Sequence, residues 1–379
     1  MIRDDAPLAA ADRRSRLSEG TFCAHGDLHN HTLLSDGDGD PADAYGSLRA
    51  AGLDVAALTA HAHAGGASVH GLDEEAWRRT GVYADAADTP GAFAAIRGFE
   101  WTEPYLGHIN VWLSSHYSDV VALGDMAPFF AWLTRDPHNG LGGGADGLAG
   151  FNHPGRERGC FEEFRYFPAV HDRVVSLEIF NRREDYLFEG HADGRPSPLI
   201  QCLAAGWRPG LSGVSDEHGA DWGFVAGKGR TGLWLRELTR RGVMEALRAR
   251  RFFATRESGL RLDATLDGTR MGGAVRVTGA AGSVTVAVDI DRGPAWHGMP
   301  VEVQVLRPGP AVPQVVHVQP TRLGEVCRFR MGLDAREGGW MVLRVADPSR
   351  PNEQPGPPGH PANVRALAYT SPWWLEAAL

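Results

Sequence analysis

No stretch of this chain approaches the ~18 consecutive apolar residues that span a bilayer, and its opening, MIRDDAPLAAADRRSRLSEG, carries charges throughout instead of the apolar run of a secretory signal. A cytoplasmic protein with no membrane partner is expected. Cysteine is scarce: Cys23, Cys160, Cys202 and Cys327 stand apart with no C-x-x-C spacing, which argues against a disulfide framework or a thiolate zinc site and leaves buried free thiols. Positive charge is short as well. A formal net charge of -9 offers no field for a polyanion, so no nucleic-acid partner is expected and a small-molecule substrate fits better. The Gly-rich stretches GLGGGADG and GKGRTG do not complete G-x-x-x-x-G-K-[ST], so a nucleotide P-loop is rejected; the first reads as a lid. Ser215 lacks a G-x-S-x-G elbow, which disfavours a serine nucleophile.

What is present is an ordinary globular composition, 43% hydrophobic and 22% charged, over 379 residues. One core usually serves no more than roughly 250 to 300 residues, so two domains are expected after an N-terminal arm at 1–21. Over 22–258, short apolar runs end in polar clusters: TFCAHGDLHNH, VAALTAHAH, FAAIRGFEW, HINVWL, GLAGFNHPG, VVSLEIFN and PGLSGVSDEHG. These read as strands, and helix-like PADAYGSLRAAG and the region 126–135 lie between them, the alternation of a parallel α/β barrel or sheet. LTRRGVMEALRARRFFAT reads as a joining helix and closing strand. From 259 to 379 the period becomes two, between Gly and Pro turns, as in an antiparallel β-sandwich, with SRPNEQPGPPGHPAN as a surface loop. Thirteen of the 16 histidines precede residue 220, so the chemistry belongs to the first part.

Five clusters carry that chemistry. In Asp27-Leu-His29-Asn-His31-Thr-Leu-Leu-Ser-Asp36-Gly, alternate strand residues share a face, so H-x-H can offer two imidazoles to one ion, with Asp36 in reach of a neighbour. The DGDGD that follows lacks the spacing of a calcium loop, so Asp38 and Asp40 read as turn and helix-cap residues. The other clusters are Thr59-Ala60-His61-Ala-His63, Gly98-Phe-Glu100 with Gly107-His108-Ile-Asn110, Asn152-His153-Pro-Gly, and Ser215-Asp216-Glu-His218. Taken singly, each could be a surface or hydrogen-bonded core group. Together, all at the ends of apolar runs and all of His, Asp and Glu, they point to divalent metal ions, with Glu100 able to bridge two of them.

In this order, H-x-H-T-x-x-S-D-G, a strand ending in His, G-x-E, H-x-N, N-H-P-G and S-D-x-H resemble the PHP (polymerase and histidinol phosphatase) superfamily over roughly residues 22 to 256. The resemblance implies an α/β fold built on a distorted (β/α)7 TIM-like barrel, and two or three manganese, zinc or iron ions. Its ligands carry over to His29, His31, Asp36, His61, Glu100, His108, His153, Asp216 and His218. It further implies a first ion on His29, His31, Glu100 and Asp216, a second on Glu100, His108 and His153, and a third on Asp36, His61 and His218. Glu100, Asp216 and His218 are the expected catalytic residues, working with a metal-bridging hydroxide. One departure stands out: the family's T-D-H is Thr59-Ala60-His61 here, so a supporting carboxylate is missing.

The segments GFEWT, Arg230-Thr-Gly-Leu-Trp, ALRARRFFAT and AYTSPWWLE also resemble the CehA/McbA-type branch, which includes carbamate ester hydrolases. The expected function is hydrolysis of a small-molecule ester, a phosphoester ahead of a carbamate or carboxyl ester, with a non-catalytic metal-bound scaffold and a binding module behind. Arg156, Arg158, Arg182 and Arg183 are candidates to hold a phosphate, and Trp101 and Trp222 to wall the cleft.

Overall fold

The computed structural model describes residues 12–63, 71–156, 159–223, 228–277 and 282–377. Arg158 and part of GKGRTG lie outside them. Ten strands carry the first part: β1 (Phe22–Asp27), β2 (Val55–Ala62), β3 (Ala94–Glu103), β4 (Gly107–Trp112), β5 (Leu148–Phe151), β6 (Val174–Asn181), β7 (Glu184–Asp185), β8 (Gly210–Val214), β9 (Arg230–Leu235) and β10 (Phe252–Thr255). β1, β2 and β3 pair in parallel, as do β5, β6 and β8. Each of the seven apolar runs forms a strand because its Val, Ile, Leu and Phe side chains bury on both faces of a covered sheet.

One strand departs from the parallel pattern. Only three residues separate β3 from β4, too few for a crossover helix, so β4 returns antiparallel, with Thr102 opposite His108. The first residues of β4 therefore sit at the same sheet edge as the last residues of its parallel neighbours. That reversal brings His108 to the site.

The helices start where their chemistry demands. Asp40 caps Pro41–Ala50 by accepting the Ala42 N–H at 2.8 Å, the role its sequence context predicts. Asp73 caps Glu74–Ala87, and Ser197 caps Pro198–Ala205, which ends at Gly206 with φ 107°. Arg240–Arg248 turns Val243, Ala246 and Leu247 inward, with Val243 and Leu247 each worth about 1.5–3 kcal/mol where fully buried.

The expected closed barrel is not what the strands form. Among the described residues no backbone ladder joins β8 to β9, and the sheet stays open there. The Thr231 hydroxyl occupies the seam instead: it accepts the Gly213 N–H at 3.3 Å and donates to the Gly213 carbonyl at 2.8 Å. A side chain standing at the seam satisfies both Gly213 groups in place of a ladder partner.

The remaining strands build two layers. Arg261–Leu266 and Gly282–Asp291 belong to a four-stranded sheet, while Pro300–Arg307, Trp340–Pro351 and Val364–Thr370 join the large one. Leu262, Val286 and Val288 face Val303, Val305, Met341 and Leu343 across a shared core. Ladders run across the 258/259 position, since β10 pairs with Val364–Thr370, so a single 16-stranded sheet spans both parts. The Pro-rich loop is not simply solvated: Gln354 Oε1 accepts the Asp185 N–H at 3.2 Å, and a Cβ at Gly356 would meet the Phe188 ring at 2.4 Å. No helix among the described residues is long and apolar enough to cross a membrane. All four cysteines are free, Cys327 alone being partly exposed.

Candidate metal centre

All nine residues singled out by their types and spacing gather at one edge of the sheet. His61 is the last residue but one of β2, Glu100 lies near the end of β3 and His108 is the second residue of β4. His29 and His31 follow β1, His153 follows β5, and Asp216 and His218 follow β8. H-x-H thus stands just beyond its strand, where Asn30 keeps a single parallel bridge to Glu217. His153 and Asp216 hold φ at 25° and 48°, left-handed values that cost a residue with a Cβ and recur where a site over-determines the backbone.

The innermost atoms have the spacing of metal ligands. His29 Nε2 lies 3.1 Å from His31 Nε2, 3.3 Å from Glu100 Oε1 and 3.3 Å from Asp216 Oδ1. His31 Nε2 is 3.4 Å from Glu100 Oε2 and 3.3 Å from Asp216 Oδ1. Ligands at ~2.05 Å from a tetrahedral ion sit ~3.3 Å apart, and His29, His31 and Asp216 keep that spacing, with one Glu100 oxygen beside each histidine. Glu100 Oε1 also approaches His108 Nδ1 at 3.1 Å and His153 Nε2 at 3.3 Å. A third group joins Asp36 Oδ1 to His61 Nε2 at 3.3 Å and to His218 Nε2 at 3.6 Å. His31 and His61 each touch two groups, His31 through Nδ1 to Asp36 at 3.9 Å and His61 through Nδ1 to Glu100 at 2.9 Å.

These side chains fit divalent ions on two counts. The donors are imidazole and carboxylate, the set that zinc, manganese and iron take. Buried atoms are also left over, since His31 Nδ1 and His153 Nδ1 have no hydrogen-bond partner among the described residues.

Protons take the ions' place in the electrostatics of the bare chain. Burial works against charge on His29, but Glu100, Asp216 and Glu178 outweigh it and hold its pKa well above the imidazole range. Burial likewise opposes charge on His61, yet Glu100 and Asp36 push it up to about 10. His31, desolvated and beside His61, falls to about 3 and is neutral. Glu100 and Asp216 stay ionised despite burial because His29 and its fellow histidines face them.

Three residues support the cluster, Glu178 and Thr102 outside the reading of motifs and Asn152 inside one without an assigned role. Glu178 Oε1 accepts from His29 Nδ1 at 2.8 Å, which turns His29 Nε2 to the cluster, while Glu178 Oε2 takes the His153 N–H at 2.6 Å and Asn181 Nδ2 at 2.8 Å. A carboxylate inside the apolar run VVSLEIFN was the available signal. Asn152 Nδ2 donates to Glu100 Oε1 at 2.7 Å. Thr102 spends its hydroxyl proton on the Glu100 carbonyl at 2.9 Å, so its oxygen accepts from His61 Nδ1 at 2.7 Å. With Ala60 on the opposite strand face, Thr102 supports His61 in place of the missing carboxylate. Replacing Glu178 with alanine is expected to weaken metal affinity about 10- to 100-fold with the fold retained, checked by competition with a chromophoric chelator.

The rim separates the other candidates. Arg156 Nη1 and Arg182 Nε lie 3.4 and 3.5 Å from Asp216 Oδ2, and Arg182 Nη2 is 3.2 Å from His218 Nδ1. Arg183 faces elsewhere, into a cavity described below. Trp101 does not wall the cleft: it is 1% exposed and stacks on Phe129 with centroids 4.7 Å apart. Alternation along β3 decides this, because Glu100 facing the cluster sends its neighbour to the other side. Trp222 is buried too, donating from Nε1 to the His31 carbonyl at 3.1 Å. His63 stacks beside His61 at 5.2 Å. The GLGGGADG segment is held by its own turns and by Asp146, which accepts the Ser115 N–H at 2.9 Å.

No family model and no curated protein matches this chain. Among solved structures, a two-domain protein from Bacteroides vulgatus ATCC 8482, described as containing a "predicted PHP-like metal-dependent phosphoesterase", is similar at TM-score 0.49 and 15% identity, over 97% of this chain and 100% of that one. An amidohydrolase from Chromobacterium violaceum with bound sulfate and no metal is similar at TM-score 0.28 and 16% identity, over 51% of this chain and 87% of that one. At these scores the site's own geometry and motifs carry the functional reading.

Proposed function

We propose that this chain is a metal-dependent hydrolase of small-molecule esters, with a phosphoester as the preferred substrate, acting from a PHP-type centre of two or three divalent ions. His29, His31, Glu100 and Asp216 would hold one ion, Glu100, His108 and His153 a second, and Asp36, His61 and His218 a third, and β1 to β9 would correspond to the distorted barrel of that superfamily. Bound divalent ions would supply Lewis-acid polarisation of the ester and a water acidic enough to ionise near neutral pH.

The observation that favours a phosphoester is the split role of Asp216. Its Oδ1 faces His29 and His31, and its Oδ2 faces Arg156 and Arg182. One buried carboxylate thereby ties two guanidinium groups to the edge of the cluster, where they can take the oxygens of a phosphoryl group as charge builds on them. Asn181 and Glu184 aim Arg156 from behind, at 3.1 and 3.4 Å. Asp36, His108 and His218 are the more exposed members and mark the side from which a substrate enters.

Zinc- and manganese-loaded protein would be assayed in parallel on an aryl phosphate, an aryl phosphodiester and an aryl N-methylcarbamate, with His29→Ala as control. Phosphoester turnover lost in the control supports the proposal. Carbamate turnover alone would move the chain to carbamate hydrolysis of the CehA/McbA type, and no metal-dependent turnover at all would favour a scaffold. Arg182→Ala is expected to cut kcat/KM for the phosphoester about 10- to 100-fold and to spare a neutral carbamate, since it removes a charge-assisted contact that only the anion makes.

A further inference from the structure

A second pocket is lined by Arg183, the residue after Arg182. The described residues enclose about 830 Å³ where the loop after β6, β9, β10 and the β-rich part meet. Six arginines line it: Arg183, Arg230, Arg256, Arg292, Arg350 and Arg365. Only three acids oppose them, Glu257, Asp347 and Glu353, so the lining carries a formal charge of +3 in a chain whose net charge is -9. None of the nine residues of the metal cluster contributes to it.

Carboxylates and backbone carbonyls hold these arginines in place: Arg256 Nη1 and Nη2 donate to the Arg183 and Ala366 carbonyls at 2.9 and 3.3 Å, and Arg230 Nη2 to the Gly223 carbonyl at 2.9 Å. Glu257 is shared, with Arg292 Nη1 at 2.7 Å and Arg365 Nη2 at 3.0 Å. Glu353 reaches Arg256 at 3.5 Å, and Asp347 is engaged by the Ser349 amide and hydroxyl at 2.9 and 2.6 Å. Arg256 and Arg365 are 2% and 7% exposed, yet the Nε of each has no hydrogen-bond partner among the described residues. Burial, chiefly, lowers the pKa of Arg365, and Arg256 and Arg350 add to that against Glu257. Buried donors of one charge gathered round a void need an acceptor, and an oxyanion supplies one. Leu260, Met299, Leu323 and Trp296 add apolar lining, and Arg292 lies over the Trp296 ring at 3.8 Å.

We propose that this cavity is a second binding site, separate from the metal centre, for a small organic anion whose phosphate or carboxylate head meets the arginines and whose apolar body lies against Leu260, Trp296, Met299 and Leu323. The two sites are adjacent in sequence here: Arg182, at φ 52°, reaches Asp216, and the next residue, Arg183, lines the cavity.

The test is calorimetric titration of the metal-stripped full chain with phenyl phosphate, benzoate, inorganic phosphate and neutral benzyl alcohol. Phenyl phosphate or benzoate is expected to bind more tightly than inorganic phosphate, and benzyl alcohol not to bind. Which of the two binds better identifies the head group. Arg365→Met is expected to weaken binding about tenfold or more, and so is Arg350→Glu, at an exposed position whose replacement leaves the core untouched. Binding that survives both variants, binding that disappears in His29→Ala, or no binding of any anion at millimolar concentration would each overturn the proposal.

Discussion

Glu100→Gln is expected to lower ester hydrolysis about a thousandfold and to reduce the metal bound per chain. No other side chain in the centre touches so many partners: its two oxygens lie within 3.4 Å of His29, His31, His61, His108 and His153 and accept from Asn152 at 2.7 Å. Glutamine keeps the shape but trades one lone-pair oxygen for an NH2 group, which cannot ligate an ion and meets ring nitrogens that must themselves be unprotonated to do so. Losing one electrostatic contact at a transition state typically costs 10²- to 10³-fold, and here the ions that supply several such contacts are disturbed together. Elemental analysis of metal per chain beside kcat/KM checks it. Full activity with unchanged metal content would show that the cluster does not carry the chemistry.

Removing the divalent ions is expected to abolish hydrolysis reversibly and to lower the melting temperature by on the order of 5–10 °C. An ion present at a thousand times its dissociation constant adds about 4 kcal/mol to the folded state, and in a chain of this size each kcal/mol shifts the midpoint by roughly 2 °C. The effect has a definite pH dependence. His29 and His61 hold protons in the bare chain, and both must release them to ligate, so ion affinity and the stability gained from it rise with pH. Without metal the sign reverses. The His61 pKa is pushed up from 6.5 to about 10, so its pairing with Glu100 and Asp36 stabilises the fold fully below pH 6.5 and fades as the pH approaches 10. Melting curves with and without zinc from pH 6 to 9 should therefore diverge as the pH rises. Calorimetry in buffers of different ionisation enthalpy should count about two protons released per chain.

Much of this was written locally. Apolar runs of β-formers between turn residues mark seven of the ten first-part strands, FFAT an eighth, and Asp40 followed by Pro41 marks a helix start. The candidate ligands could be singled out for a similar reason, because histidines and carboxylates placed repeatedly at strand ends have few other uses, and the PHP resemblance supplied their set. Strand parity was available too and would have removed Trp101 from the cleft, since a residue adjacent to Glu100 in β3 must face away from it.

The sequence by itself determined the strands, the caps and the kinds of atom available to bind metal, because these depend on a residue and its near neighbours. Only the tertiary structure decided how they combine. Glu178 orients His29 from 149 residues away, Thr102 supports His61 from 41 residues away, and Asp216 divides its two oxygens between histidines and arginines drawn from separate loops. The open seam at Thr231 and the arginine cavity likewise come from segments that meet only when the sheet assembles. Periodicity reports which side of a strand a residue occupies, but the distance between two strand ends is set by the twist, register and packing of everything between them.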